Sequence, residues 1–321
     1  GAPASGEGNY TYGYGYLNVL AAGQQVCSAG TITGTVTSGS SPVEGATVTA
    51  DNGAGVVIDT ETGADGIYTL NAPEGIYTVT ATKYGYDSDV ETGVGVVEGE
   101  EVTVNFTITP LPSTTVSGVV YDAGVEELAL HGYPLYASIH ISASGFDQTI
   151  YSDPITGVYS IDLVSETEHT FEVTSVISGY EPLVETVTPT TDALTHDIGL
   201  GIDGEVCAAP GYGSSCEIIP GGAVAGYITD EMTAEPLVGA VVYSETAATV
   251  SFVLEDDPNN AGIYWLFQPT DTNPEEVLFT ASKDLYADET AMVSVVENAV
   301  KQQDFALVVE LWKLYLPLIA K

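Results

Sequence analysis

The sequence predicts an all-β chain of three tandem β-sandwich domains with an extension segment at each end. Three observations predict it. The apolar content is heavy in Val and Ile, with Thr beside them, in runs bounded by Gly, Pro, Asn and Asp, which is the composition of strands and turns. Within the runs, side chains alternate with period two, as strands with two unlike faces require. One set of elements then returns three times in the same order, at a spacing of roughly 90–105 residues, the size of one sandwich.

Residues 1–29 form a Tyr-rich head. Tyr10, Tyr12, Tyr14 and Tyr16 fall on every second position of "NYTYGYGYLNVLAAG", so an extended chain puts four phenols on one face, and Leu17 to Ala22 then read as the start of a helix. The chain starts at Gly1 rather than Met, from which a longer, cut precursor is expected. Cys27 has no local partner, and reads as a buried thiol or as half of a bridge to another chain.

The first sandwich covers 30–110, the second 111–202 and the third 222–308. Each opens on a strand with a central glycine, Gly34, Gly118 or Gly226, and each has a Gly-Ile/Val-Tyr turn into a later strand, at 66–68, 157–159 and 262–264. A Pro-x-x-Gly-Ala element precedes the second strand in modules one and three, and "GYPLYASIHIS" replaces it in module two as a degenerate form. In "GIYTVTATKYGY", Ile76, Thr78, Thr80 and Thr82 share one face, with Tyr77, Val79 and Ala81 on the other. "EVTVNFTITP" turns Val102, Val104, Phe106 and Ile108 inward as a single strand, until Pro110 ends it.

Residues 203–221 read as a Cys/Gly/Pro linker in which Cys207 and Cys216 form a local disulfide, a pairing that belongs to an oxidising compartment. The tail, 309–321, is apolar on both faces of a strand, with Leu311, Trp312, Leu314, Tyr315 and Leu316 at its centre. It is too short for a membrane helix, holds Glu310 and Lys313 close by and meets Pro317, so no membrane span is predicted. Such a strand needs a receiver.

These modules resemble the carboxypeptidase regulatory-like domain, a small sandwich of prealbumin-like or Ig-like type. "SPVEGATVTA", "GADGIYTL" and "GIYTVTATKYGY" carry the likeness in module one, and "AEPLVGAVVYS" and "AGIYWL" in module three. The resemblance implies a fold and a secreted location and implies no reaction. The head, "GNYTYGYGYLNVLAAG", resembles the last stretch of a subtilisin-like peptidase domain, which would make the chain the C-terminal region of such a precursor. That family's Gly-Thr-Ser-Met-Ala nucleophile motif is absent, and "HGY" at His131 lacks the second histidine of its His-Gly-x-His element. Without nucleophile and base there is no acyl transfer, so no catalytic residue is assigned and the chain is read as no enzyme.

Charge narrows the partners. Forty-five acidic residues face five lysines and no arginine, a formal net charge of −40. Nothing here neutralises phosphates, which excludes nucleic acid and disfavours anionic membranes. His131, His140, His169 and His196 lack metal-ligand spacing, so no metal site is assigned. The acidic pairs Asp256-Asp257 and Glu275-Glu276 are expected by chance among so many carboxylates. No cofactor is assigned; calcium is the alternative at the oxygen-rich loops 59–66 and 255–262, neither with EF-hand spacing. Asn9 and Asn105 head the sequons "NYT" and "NFT", acceptors for N-glycosylation where the machinery exists. Trp265 and Trp312 are too few for a carbohydrate platform.

The function read from these features is that of a non-enzymatic extracellular structural protein at the cell surface. Its partner is itself: a head-to-tail filament joined by strand exchange through Tyr10, Tyr12, Tyr14, Tyr16 and the tail, with adhesion as its setting. The alternative is an accessory region of a secreted subtilisin-like protease, holding enzyme to surface or substrate.

Overall fold

The computed structural model describes residues 29–124, 132–202, 204 and 207–310. These form two compact units, one ending at Pro112 and one starting at Ser113. The first unit holds one β-sandwich, the second holds two, and no α-helix occurs among the described residues.

Module one runs β1 (Ala29–Ser38), β2 (Ser41–Pro42), β3 (Thr47–Asp51), β4 (Val57–Glu61), β5 (Ile67–Pro73), β6 (Gly75–Thr82), β7 (Asp89–Val96), β8 (Glu101–Thr103) and β9 (Phe106–Thr107). One sheet centres on β1, which pairs antiparallel with β2 and β5 and parallel with β8 and β9. The other has the order β4-β3-β6-β7. The alternation seen in the sequence decides the faces: Tyr77, Val79 and Ala81 of β6 are buried, while Ile76 stands exposed. Ile32, Val36, Val48, Leu70 and Phe106 meet them between the sheets.

Module two repeats the plan with β10 (Ser113–Gly124), β11 (Ala137–Ala143), β12 (Phe146–Tyr151), β13 (Val158–Val164), β14 (His169–Ser175), β15 (Leu183–Val187), β16 (Leu194–Thr195) and β17 (Ile198–Gly201). Its sheets are β13-β10-β16/β17 and β12-β11-β14-β15. Module three comprises β18 (Gly221–Asp230), β19 (Val241–Tyr243), β20 (Ala248–Val250), β21 (Ile263–Pro269), β22 (Glu275–Ser282), β23 (Glu289–Val295), β24 (Val300–Gln302) and β25 (Phe305–Leu307), in sheets β21-β18-β24/β25 and β20-β19-β22-β23. A separate apolar core fills each module.

The last strand of every module runs parallel to its first, at β1/β8/β9, β10/β16/β17 and β18/β24/β25. The chain therefore comes into a module at one end and leaves it at the other. The stretch "EVTVNFTITP" is broken into β8 and β9 at Val104 and Asn105, where a single strand was expected. The same break separates β16 from β17 and β24 from β25.

Candidate functional site

The break in the last strand is where each module spends its polar side chains. Gly34 of β1 carries no Cβ, and a Cβ there would stand 1.7 Å from the Val104 carbonyl oxygen. The two other central glycines meet the same crowding: 2.0 Å from His196 O at Gly118 and 1.9 Å from Gln303 O at Gly226. A carbonyl of the closing strand thus lies directly over the opening strand, a position only glycine leaves free.

The backbone then bonds on both sides of the glycine. Val104 N donates to Thr33 O, His196 N to Ser117 O and Gln303 N to Ala225 O, at 2.8, 2.8 and 2.9 Å. One residue on, an Asx carboxyl or amide oxygen accepts the N–H that follows the glycine. Thr35 N donates to Asn105 Oδ1 at 3.0 Å, Val119 N to Asp197 Oδ1 at 3.0 Å and Tyr227 N to Asp304 Oδ1 at 2.9 Å.

The tyrosine of each Gly-Ile/Val-Tyr turn completes the clasp. Tyr68 Oη donates to Val104 O at 2.7 Å, Tyr159 to His196 O at 2.6 Å and Tyr264 to Gln303 O at 2.5 Å. Burial raises all three phenols, Tyr68 to about 12, with nearby carboxylates adding to the rise at Tyr159 and Tyr264. Each therefore stays a neutral donor through the ordinary pH range. One glycine, one tyrosine and one Asx join first strand, last strand and the β5, β13 or β21 neighbour at a single point.

A second polar device also recurs. Thr62 Oγ1, Ser152 Oγ and Ser251 Oγ are buried, accept the N–H of Ala46, Ala137 and Ala240, and donate to the carbonyls of Val43, Leu135 and Leu237. Module two thus carries the element in degenerate form. "GYPLYASIHIS" keeps the element as Pro134-Leu135-Tyr136-Ala137, one residue shorter, and Pro134 sits against the Gly157 turn as Pro42 and Pro236 sit against Gly66 and Gly262.

Modules two and three are joined by an aromatic seam. Tyr133 and Tyr136 are fully buried; Tyr133 meets Trp265 and Phe267 edge-on, with ring centroids at 6.3 and 6.2 Å. Tyr136 Oη donates to Asp257 Oδ2, which also accepts from Asn260 Nδ2 at 2.7 Å. Burial first, then the Asp257 carboxylate, pushes the Tyr136 phenol far above its usual range. Asp257 lies in the loop weighed for calcium, and its Oδ2 accepts both of these donors. In the other such loop, Asp65 Oδ1 accepts from Ile67 N, an ordinary turn contact. Among the described residues no three His, Cys, Asp or Glu gather as a metal would need.

Cys207 and Cys216 are joined by a disulfide. The loop they close packs on the exit end of module two, where Tyr212 Oη donates to the buried Asp122 carboxylate at 2.9 Å and Ala209 lies under Gly179. Asn105 is exposed, with its Oδ1 taken by Thr35. His140 stands between Asp147 and Glu172, His196 bonds Glu185, and His169 is buried. Trp265 is 6% exposed, spent on the seam and not on a carbohydrate platform. Tyr10, Tyr12, Tyr14, Tyr16, Asn9, Cys27, His131, Leu311, Trp312, Leu314, Tyr315 and Leu316 lie outside the described residues, as does the head that resembles a peptidase terminus. No described helix is long and apolar enough to cross a membrane.

The Asx member of the clasp escaped the sequence reading, although its signal was present. "NFT" at 105, "DIG" at 197 and "DFA" at 304 each place Asx before an apolar residue four or five positions short of the module end.

Residues 31–109 match the family model of the carboxypeptidase regulatory-like domain. No curated protein matches the chain. Among solved structures it is similar to the Bacillus anthracis TIE protein, at 16% identity and a TM-score of 0.26 over 87% of this chain and 51% of that one. The chain thus spans about half the length of that protein. It is also similar to the minor pilin of Streptococcus agalactiae, at 14% identity and a TM-score of 0.34 over 54% of this chain and 96% of that one. A streptococcal ancillary pilin is similar at 11% identity and a TM-score of 0.24, over 88% and 99% of the two chains. Likenesses at this level decide nothing about function, and the family match stays within module one.

Proposed function

We propose that this chain is a non-enzymatic extracellular structural protein, a subunit that assembles head to tail into a surface filament through its terminal segments. The observation that carries this reading is the parallel pairing of first and last strand in every module, fastened by the clasp. Tension along the chain pulls these neighbouring strands from opposite ends. Their hydrogen bonds are then loaded together in shear, not opened one after another. A module built this way passes force along, which is what a fibre subunit does.

Two further features support it. A disulfide suits an oxidising exterior. The seam of Tyr133, Tyr136 and Trp265 packs modules two and three against each other. Recurrent polar side chains are committed to holding strands together, which leaves them no part in bond-making chemistry. The test is negative-stain electron microscopy of the purified full chain over a range of concentrations. Uniform fibres with an axial repeat of one subunit are expected; isolated particles at every concentration would sink the reading.

A further inference from the structure

The two strands beside β22 cover it unequally. β23 pairs with it from Glu275 to Ala281, but β19 pairs only with Thr280, Ala281 and Ser282. Glu275 to Phe279 therefore have no strand on their β19 side. The equivalent bare stretch is residues 75–77 in module one, and in module two only His169 of β14 lies beyond the reach of β11. The long gap in module three has a sequence cause: after Tyr243 the chain turns away through Ser244 to Thr246, which Gln268 holds by hydrogen bonds with Ser244 and Thr246.

What remains is a groove of about 520 Å³ along a strand edge. Its exposed large apolar members, Tyr243, Leu278 and Met292, are 38%, 52% and 58% exposed, beside the half-buried Val277. Its rim carries Glu245, Glu275 and Glu276. An open edge calls for a strand, the exposed apolar groups for apolar side chains, and the rim for a cation.

One segment of this chain has all three properties. Residues 311–321, "LWKLYLPLIAK", hold no acidic residue in a chain with forty-five, carry two of its five lysines, and are apolar on both faces of an extended strand. We propose that the bare edge of β22 receives residues 311–316 of a second copy as an added strand, with Lys313 set among the three glutamates. This rests on the filament reading and names its joint. Within one copy, Glu310 N donates to Leu285 O, beyond the far end of β22 and roughly 15–20 Å from the bare edge at strand rise, so the first residues after Glu310 favour an edge on a second copy.

The test uses the full chain with a photo-reactive phenylalanine analogue in place of Tyr315, mixed as isotopically heavy and light copies and irradiated. The expected result is heavy–light hybrids cross-linked within Tyr243, Leu278 and Met292. In a companion sample, Leu278→Asp lowers the hybrid yield about tenfold, because a charge would face the incoming strand; its circular dichroism stays native, since Leu278 is half exposed. Cross-links confined to a single copy, cross-links to any other surface, or none at all overturn the proposed joint. Microscopy of the unirradiated sample reads the filament separately: fibres with cross-links elsewhere refute only this joint, and the absence of fibres refutes the reading beneath it.

Discussion

A tyrosine hydroxyl on a carbonyl is a modest contact in isolation, but at Tyr264 it ties down the point where three strands meet. Removing it leaves the half-buried Gln303 carbonyl with one fewer donor, so Tyr264→Phe is expected to cost about 1–2 kcal/mol in chemical denaturation. Gly226→Ala is expected to cost more, about 3 kcal/mol or above, because a Cβ 1.9 Å from Gln303 O forces the closing strand off β18. Equal losses from the two changes would show that the crowding at the glycine is not what holds the geometry. His169 offers a pH test. It is fully buried, and desolvation lowers its pKa below the ordinary value of 6.5. Above that pH both folded and unfolded forms are neutral, so its full contribution is present. As pH falls from 6.5 towards the lower folded value, the unfolded chain takes a proton that the folded one refuses, and stability drops by up to ~1.4 kcal/mol per pH unit. The melting temperature of His169→Gln should therefore fall less steeply than wild type below pH 6.5; parallel curves would rule this histidine out as the cause.

At the scale of the element, alternation was legible and interruption was not. Period alone set Tyr77, Val79 and Ala81 of β6 on one face, and the structure makes that face the buried one. The break between β8 and β9 could not be read that way, since Val102, Val104, Phe106 and Ile108 keep perfect alternation through it. A strand's side-chain period is local, whereas its neighbour's change of register is not. The hydroxyl of Ser251 makes the same point: nothing in "TVSFV" marks it as the partner of Ala240 N and Leu237 O. Ser251→Ala leaves both groups buried and unpaired, and denaturant melts should show a loss of about 1–3 kcal/mol. Thr62→Val in module one should lose a similar amount, since it removes the same two contacts.

Over the whole molecule, the seam decides how modules two and three behave. Tyr133, Trp265 and Phe267 bury one another across it, so that unit should melt as a single cooperative transition. Trp265→Ala removes the largest ring and should cost about 3 kcal/mol or more, splitting the transition in calorimetry into two. A variant that still melts in one step would mean that the modules are coupled by something other than these rings. The fate of the seam could not be foreseen from sequence. Tyr133 and Tyr136 stand in a stretch that read as a degenerate copy of a repeat, and their departure from the repeat is what lets them serve the neighbouring module.

The sequence by itself determined the all-β class, the threefold repetition of central glycine and Gly-Ile/Val-Tyr turn, and the two alternating faces of the strands. Each of these follows from backbone sterics and side-chain period, which act over a few residues. Only the tertiary structure decided the parallel closure of each module, the Asx member of each clasp, the aromatic seam and the bare edge of β22. Those depend on which strands become neighbours, across separations such as the seventy residues between Thr35 and Asn105. A pairing over that distance is set by the competition of all strands for partners, and no single stretch of the chain records its outcome.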